Sequence, residues 1–241
     1  MCIRDRLNGK KVLLIITGGI AAYKSLELVR KLKEKGAEVI PVMTKAAENF
    51  ITPMSVSALA REKVYNKLFD LTDEAEMGHI ELSRSSDLIV VVPASADFIA
   101  KTATGQANDL ASTLILATDT KVLMAPAMNV RMWENPLTQK NIKILHNNGV
   151  KFVGPDEGEM ACGEFGFGRM AEADEILKEI EANFRDKKLK GRHFLVTSGP
   201  TIEPIDPVRF IGNRSSGLQG GAIANELVES GAEVTLSLIH I

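Results

Sequence analysis

The sequence predicts an α/β protein with a doubly wound parallel sheet, and three observations carry that prediction. Short apolar runs such as "KVLLII" and "LIVVV" lack the polar alternation of a half-exposed strand, so they read as strands buried on both faces. Stretches with apolar residues at helical spacing lie between them, the order that produces parallel βαβ units. "TGGIAAYK", "MTKAA", "PASADF" and "PAMN" each follow an apolar run, and an open α/β sheet gathers its ligands at the carboxyl ends of its strands.

In order, "KVLLIIT" is a strand, Gly18-Gly19 a tight turn, and "IAAYKSLELVRKLKEKG" an amphipathic helix stopped by Gly36. "AEVIPVMT" is a second strand. "SDLIVVVPASAD" and "KVLMAPAMN" repeat one form, an apolar run ending in proline and small residues. "NDLASTLILAT" between them reads as a buried helix, and "NPLTQKNIKILHNNG" as a helix ending at Gly149. "GPDEGEMACGEFGFGRM" has little apolar period and reads as a mobile glycine-rich loop. "AEADEILKEIEANF" is a helix with acidic residues near its start, and "RDKKLKGR" a charged linker. From Leu189 the order strand, glycine-rich turn, helix, strand begins again and stops after about fifty residues, too few for an independent core.

A length of 241 residues allows one core of about 150–200 residues and a remnant. A net charge of −2 provides no basic field to gather nucleic acid or anionic lipid. Apolar runs fall short of the roughly 18 residues of a membrane span. Two cysteines make no disulfide framework, and Cys and His are not at zinc spacing, so a reducing cytoplasm fits best and no metal is expected. The ends "MCIRDR" and "LSLIHI" resemble translated adapter sequence, so residues 1–6 and 237–241 are read as non-native.

The strand-end loops hold the candidate chemistry. Thr17-Gly18-Gly19 before a helix can offer amides to an anion such as phosphate, although a bare tight turn has the same sequence. Thr44 and Ser95-Ala96-Asp97-Phe98 add hydroxyls and turn amides that suit a flavin phosphate and ring, or ordinary loop contacts. His79 follows Glu76 at a helix start, where an imidazole can exchange a proton near neutral pH or simply cap the helix. His146 and His193 read as structural. Asn129 in "PAMNVRMW" can bind a carboxylate or a carbonyl through its N–H₂ while its own carbonyl accepts a bond, or serve as a turn residue; Met132 and Trp133 can cover an aromatic ring or fill a core. Cys162, with an ordinary thiol pKa of about 8.5, is a usable acid if its loop closes as a lid, the alternative being a small buried hydrophobe that the glycine-rich surroundings do little to cover.

"GGIAAYK", "GHIELSR", "PASADFIAK", "PAMNVRMW", "ACGEFGFGRM" and "GPTIEPIDPVRFIGNRSSG", in this order, resemble the bifunctional phosphopantothenoylcysteine decarboxylase and phosphopantothenate–cysteine ligase family of coenzyme A biosynthesis. The resemblance implies a flavodoxin-like decarboxylase domain over 8–188 and an incomplete Rossmann-like ligase fragment over 189–236. It implies FMN on Gly18, Gly19, Ile20, Thr44, Ser95, Ala96, Asp97, Phe98, Ala127 and Met128, in trimers with a flavin at each subunit contact. In that family flavin oxidises the cysteinyl side chain to a thioaldehyde, carbon dioxide leaves, and the enethiolate is reduced back. His79 would be the base, Asn129 the holder of the substrate carboxylate, and Cys162 the acid.

The ligase fragment would use CTP and Mg2+, with Asn213 on the acyl-cytidylate and Ser215, Ser216 and Gly217 cradling phosphate. Leu218 stands where many relatives have lysine, and the family's downstream cytidine-binding segment is not present, so ligase activity is not expected. An electron-transfer flavoprotein or a plain nucleotide-binding module needs neither Asn129 nor Cys162. Peptidyl-cysteine decarboxylases and prenyl-flavin synthases are nearer alternatives, from which the ligase fragment separates the chain.

Overall fold

A computed structural model describes residues 7–68, 79–160, 163–185 and 187–238, with the side chains of His79 and Ile80 outside that description. The chain divides into two compact units, Met1–Glu181 and Ala182–Ile241.

The first unit is built on five parallel strands, β1 (Lys11–Ile16), β2 (Glu38–Met43), β3 (Leu88–Ala94), β4 (Val122–Pro126) and β5 (Lys151–Phe152), in the order β2-β1-β3-β4-β5. This is the flavodoxin-like order, with its switch point between β1 and β3. Every residue of β3 and β4 is buried, as their unbroken apolar runs require. β2 is an edge strand, which lets it carry Pro41; the Pro41 carbonyl accepts from the Tyr65 amide at 3.0 Å.

The helices are α1 (Ala22–Glu34), α2 (Pro53–Ala60), α3 (His79–Arg84), α4 (Ala96–Ala103), α5 (Leu110–Ala117), α6 (Val130–Glu134), α7 (Pro136–Asn147) and α8 (Ala173–Asn183). α1 buries Ala22, Ser25, Leu28, Val29 and Leu32, one stripe at helical spacing, and ends where Gly36 adopts φ +79. Lys31–Asp174 (2.8 Å) and Lys35–Glu181 (3.5 Å) join α1 to α8. On the opposite face Leu13, Ile15, Ile89, Val91, Val122 and Met124, alternate residues of three strands, pack with Leu82, Phe98, Ile99, Leu114 and Leu145 of α3, α4, α5 and α7.

Three features depart from the sequence reading. Within the stretch read as a mobile loop, β6 (Asp156–Glu159) and β7 (Phe165–Arg169) pair as an antiparallel hairpin. Its strands lack apolar alternation because its glycines, not apolar side chains, make the contacts. α5 is buried on one side only, with Leu116 exposed. α2, capped by Thr52 and opened by Pro53, has a weak apolar period that does not mark it as helical.

The second unit comprises β8 (His193–Ser198), paired in parallel with β11 (Glu233–Leu238), an antiparallel pair of β9 (Ile202–Pro204) and β10 (Phe210–Gly212), and α9 (Leu218–Glu229). Among its described residues the buried apolar side chains are Ala224 and Ala232, whereas Leu195, Phe210, Ile211, Leu218 and Leu238 are exposed.

Candidate active site

The switch point is braced by hydroxyls. β3 shifts register against β4 between Val91 and Ala94, and Pro93 within that shift has no N–H for the ladder. The carbonyls stranded there are taken from β1 and α1: Thr17 Oγ1 donates to Pro93 O and Ser25 Oγ donates to Val92 O, both at 2.6 Å. Thr17 Oγ1 also accepts from the Ser95 amide at 3.1 Å, tying the N-cap of α4 to the end of β1. Ser95 Oγ in turn accepts from the Phe98 amide at 3.3 Å. The Ala96 and Asp97 amides, in the first turn of α4, have no intrahelical acceptor.

Beside this brace lies a cleft of about 430 Å³ whose walls include Gly18, Thr44, Lys45, Ser95, Asp97, Phe98 and Lys101. Gly18 faces Ala46 so closely that a Cβ on it would stand 2.6 Å from the Ala46 methyl carbon. Thr44 organises the turn opposite, its Oγ1 accepting from the Ala47 amide at 3.3 Å. Phe98 is 2 % exposed and belongs to the core. Lys101 pairs with Asp97 (3.1 Å) and Asp109 (3.7 Å), and the hydrogen bond to Asp97 leads in raising its pKa above the ordinary lysine value.

A second cleft, of about 700 Å³, is walled by Gly19, Ile20, Tyr23, Lys24, Ala127, Met128, Asn129, Met160, Arg169 and Glu172. The β6–β7 hairpin sits directly on its Asn129 edge. The Met128 amide donates to Gly168 O at 3.0 Å, and a Cβ on Gly168 would meet Met128 O at 2.3 Å. A Cβ on Gly166 would stand 2.8 Å from Val130 Cγ2. Asn129 caps α6: its Oδ1 accepts from the Arg131 amide at 2.8 Å, and its Nδ2 donates to the Glu164 carboxylate. Asn129 thus acts here as the turn and capping residue that the sequence also allowed, and its amide nitrogen meets the protein's own Glu164 carboxylate.

Lys24 holds Glu172 at 2.8 Å, and Arg169 also pairs with Glu172. The hydrogen bond from Lys24, then that from Arg169, keeps the Glu172 carboxyl below the usual range. Burial pushes the Asp156 carboxyl up, and the neighbouring Glu175 adds to the rise. A further cleft of about 410 Å³, whose walls include Thr102, Ser112 and Ile144, has none of the predicted residues.

The predicted residues therefore gather around two clefts that meet at Gly18-Gly19. Gly18, Thr44, Ser95, Asp97 and Phe98 wall the first, and Gly19, Ile20, Ala127, Met128 and Asn129 the second. Ala96 contributes only its place at the start of α4. His79 opens α3, its side chain outside the described residues, and Cys162 lies outside them altogether. Exposed His146 stands in the last turn of α7, and His193 Nε2 lies 2.8 Å from Thr235 Oγ1 across β8 and β11. Met132 is exposed, outside the core. Sequence reasoning missed the Thr17 and Ser25 hydroxyls and Glu164; Lys101, four residues after Asp97, carried a helical ion-pair signal.

In the second unit Asn213 Nδ2 donates to Thr201 Oγ1 at 2.7 Å, and Asn213 Oδ1 accepts from the Ser215 amide at 3.1 Å. Gly217, at φ +75, opens α9, and its carbonyl accepts from Ser198 Oγ at 2.8 Å. Ser216 is exposed in the same turn. These contacts build a glycine-serine turn before a helix.

Residues 3–185 match the flavoprotein family, and residues 189–239 match the DNA/pantothenate metabolism flavoprotein C-terminal domain. The chain is 51% identical over 230 residues to the coenzyme A biosynthesis bifunctional protein CoaBC of Vibrio vulnificus (strain YJ016) and 48% identical over 231 residues to that of Escherichia coli (strain K12). Both alignments take in 95% of this chain, which spans 57% of each relative's length. Among solved structures, a PPC decarboxylase mutant complexed with pantothenoylaminoethenethiol superposes with a TM-score of 0.65 at 32% identity, over 72% of this chain and 97% of that one. The FMN binding protein AtHal3 superposes with a TM-score of 0.63 at 32% identity, over 72% and 95%. With its parallel sheet, both clefts and the hairpin inside the matched region, the chain belongs to the flavoprotein family.

Proposed function

We propose that this chain is an FMN-dependent decarboxylase that converts 4'-phosphopantothenoylcysteine to 4'-phosphopantetheine and carbon dioxide in coenzyme A biosynthesis. The observation that carries the reading is Asn129, an amide that holds a carboxylate at the edge of a cleft adjoining the β1/β3 switch point. Kinship to a PPC decarboxylase over 97% of its length supports the same chemistry.

The residues of the first cleft fit a flavin phosphate and ring. A turn stripped of side chain at Gly18, the Thr44 hydroxyl and the first-turn amides Ala96 and Asp97 offer close approach and donors, and Phe98 adds an apolar wall. Gly19, Ile20, Ala127 and Met128 would border the flavin on the substrate side. Bound FMN supplies a reversible two-electron oxidation that makes the cysteinyl carboxylate labile and returns the electrons afterwards.

Asn129 Nδ2 binds the substrate carboxylate while Oδ1, fixed by the Arg131 amide, holds the donor in direction. His79 takes a proton from the substrate during oxidation, and the Cys162 thiol gives one back during reduction. The β6–β7 hairpin shields these transfers from water.

The reading extends to a cytoplasmic homo-oligomer, a trimer or a multiple of trimers, supported by exposed Ile20 and Tyr23 at the second cleft and Phe165 and Phe167 on the hairpin. It assigns residues 8–188 to the decarboxylase. Residues 189–236 go to a ligase part whose CTP and Mg2+ site in longer relatives includes the turn at Asn213, Ser215, Ser216 and Gly217. Purified protein should carry or take up FMN, seen in its visible spectrum, and release carbon dioxide from 4'-phosphopantothenoylcysteine. His79→Asn should keep the flavin and lose about 10²–10⁴-fold in rate. A preparation that binds no added FMN refutes the reading.

A further inference from the structure

We propose that Glu164 is an internal competitor for the substrate carboxylate, occupying the Asn129 donor in the resting enzyme and returning to it when carbon dioxide has left. The inference rests on the decarboxylase reading above and adds to it a residue that sets substrate affinity.

The geometry supplies the competitor. Asn129 cannot turn freely, because its Oδ1 accepts from the Arg131 amide at 2.8 Å, so the two hydrogens of Nδ2 have fixed directions, one of them toward Glu164. Glu164 Oε2 accepts from that nitrogen, and Glu164 Oε1 lies 3.7 Å from Arg131 Nε. One carboxylate is thus held by an amide and a guanidinium together, the donors an incoming carboxylate would meet.

The hairpin delivers Glu164 to this place. The Glu164 carbonyl accepts from the Met160 amide at 2.9 Å, closing the tip, and the missing side chains of Gly166 and Gly168 let β7 lie against Val130 and Met128. The bound carboxylate is nevertheless displaceable. The Glu164 side chain is 38 % exposed and that of Arg131 86 %, so water screens the pair and takes up either group when it leaves.

A substrate carboxylate replaces Glu164 like for like, and the closed fraction lowers apparent affinity in proportion. Once the carboxylate is gone as carbon dioxide, the product has no carboxylate for Nδ2, and Glu164 takes the donor back. Ligands without a carboxylate gain nothing from displacing it.

The test is calorimetric titration of the full-length, FMN-loaded chain in a His79→Asn background, which preserves the substrate, with 4'-phosphopantothenoylcysteine and 4'-phosphopantetheine as ligands. Glu164→Ala should tighten the carboxylate ligand by about three- to tenfold and leave the decarboxylated one unchanged. Glu164→Gln, which keeps the shape and loses the charge, should tighten it in the same direction by less. Adding Asn129→Ala should remove the gain. Equal changes for both ligands, weaker substrate binding, or no change overturns the competition while leaving the decarboxylase reading standing. Failure of every variant to bind either ligand overturns that reading and the competition with it.

Discussion

Thr17→Val tests whether the switch point is braced as described. Valine preserves the shape of threonine, so the change removes a hydroxyl without opening a cavity. Thr17 is 1 % exposed, and its Oγ1 serves both Pro93 O and the Ser95 amide. Buried Pro93 O left without a bond costs about 1–3 kcal/mol and the half-buried Ser95 amide about 1 kcal/mol, so the loss is about 2–4 kcal/mol. For a unit of this size, 2–4 °C per kcal/mol gives a Tm about 5–15 °C lower, read by circular dichroism. Thr17→Ser keeps the hydroxyl and should recover most of the loss. Because Ser95 anchors the start of α4, its amide should also lose hydrogen-exchange protection in the valine variant, and FMN should be retained less well. A Tm within about 2 °C of the parent, with Ser95 protection unchanged, would refute the brace.

Gly168→Ala should undock the hairpin, since its Cβ would meet Met128 O at 2.3 Å with φ at +148; a clash of about 1–3 kcal/mol predicts roughly ten- to hundredfold faster exchange of the Met128 amide, with the five-stranded sheet intact. Asp156→Asn should raise Tm at pH 7, because burial and Glu175 lift the Asp156 pKa in the fold and its charge opposes folding above that value. The gain should vanish as pH falls below the unfolded carboxyl pKa of about 3.9, and a gain that persists there would exclude this cause. Residues 187–238, with Ala224 and Ala232 as their buried apolar side chains, should be the first part cut in limited proteolysis, and the chain should form no pyrophosphate from CTP, 4'-phosphopantothenate and cysteine with Mg2+. Protease resistance there would contradict the exposed faces of β8 and β11.

The strands and their carboxyl-end loops were legible from sequence because the signal is local. "LIVVV" has to be buried on both faces wherever it lies, and the α1 stripe from Ala22 to Leu32 follows from helical period alone. Asn129 was legible for a similar reason, as one side chain carries both a donor and an acceptor just beyond a buried strand. Tertiary structure alone decided what meets across long separations. Gly18 must be glycine because Ala46, far along the chain, occupies the space of its Cβ, and Thr17 works as a brace because Pro93 and Ser95 arrive beside it. The hairpin is invisible to periodicity since Gly166 and Gly168 pack through absent side chains against Val130 and Met128. Glu164 reads as one more acidic loop residue until that packing sets its carboxylate against Asn129. Apolar period reports how a segment meets solvent, whereas hydrogen bonds and steric fit depend on which distant segment the fold brings to it.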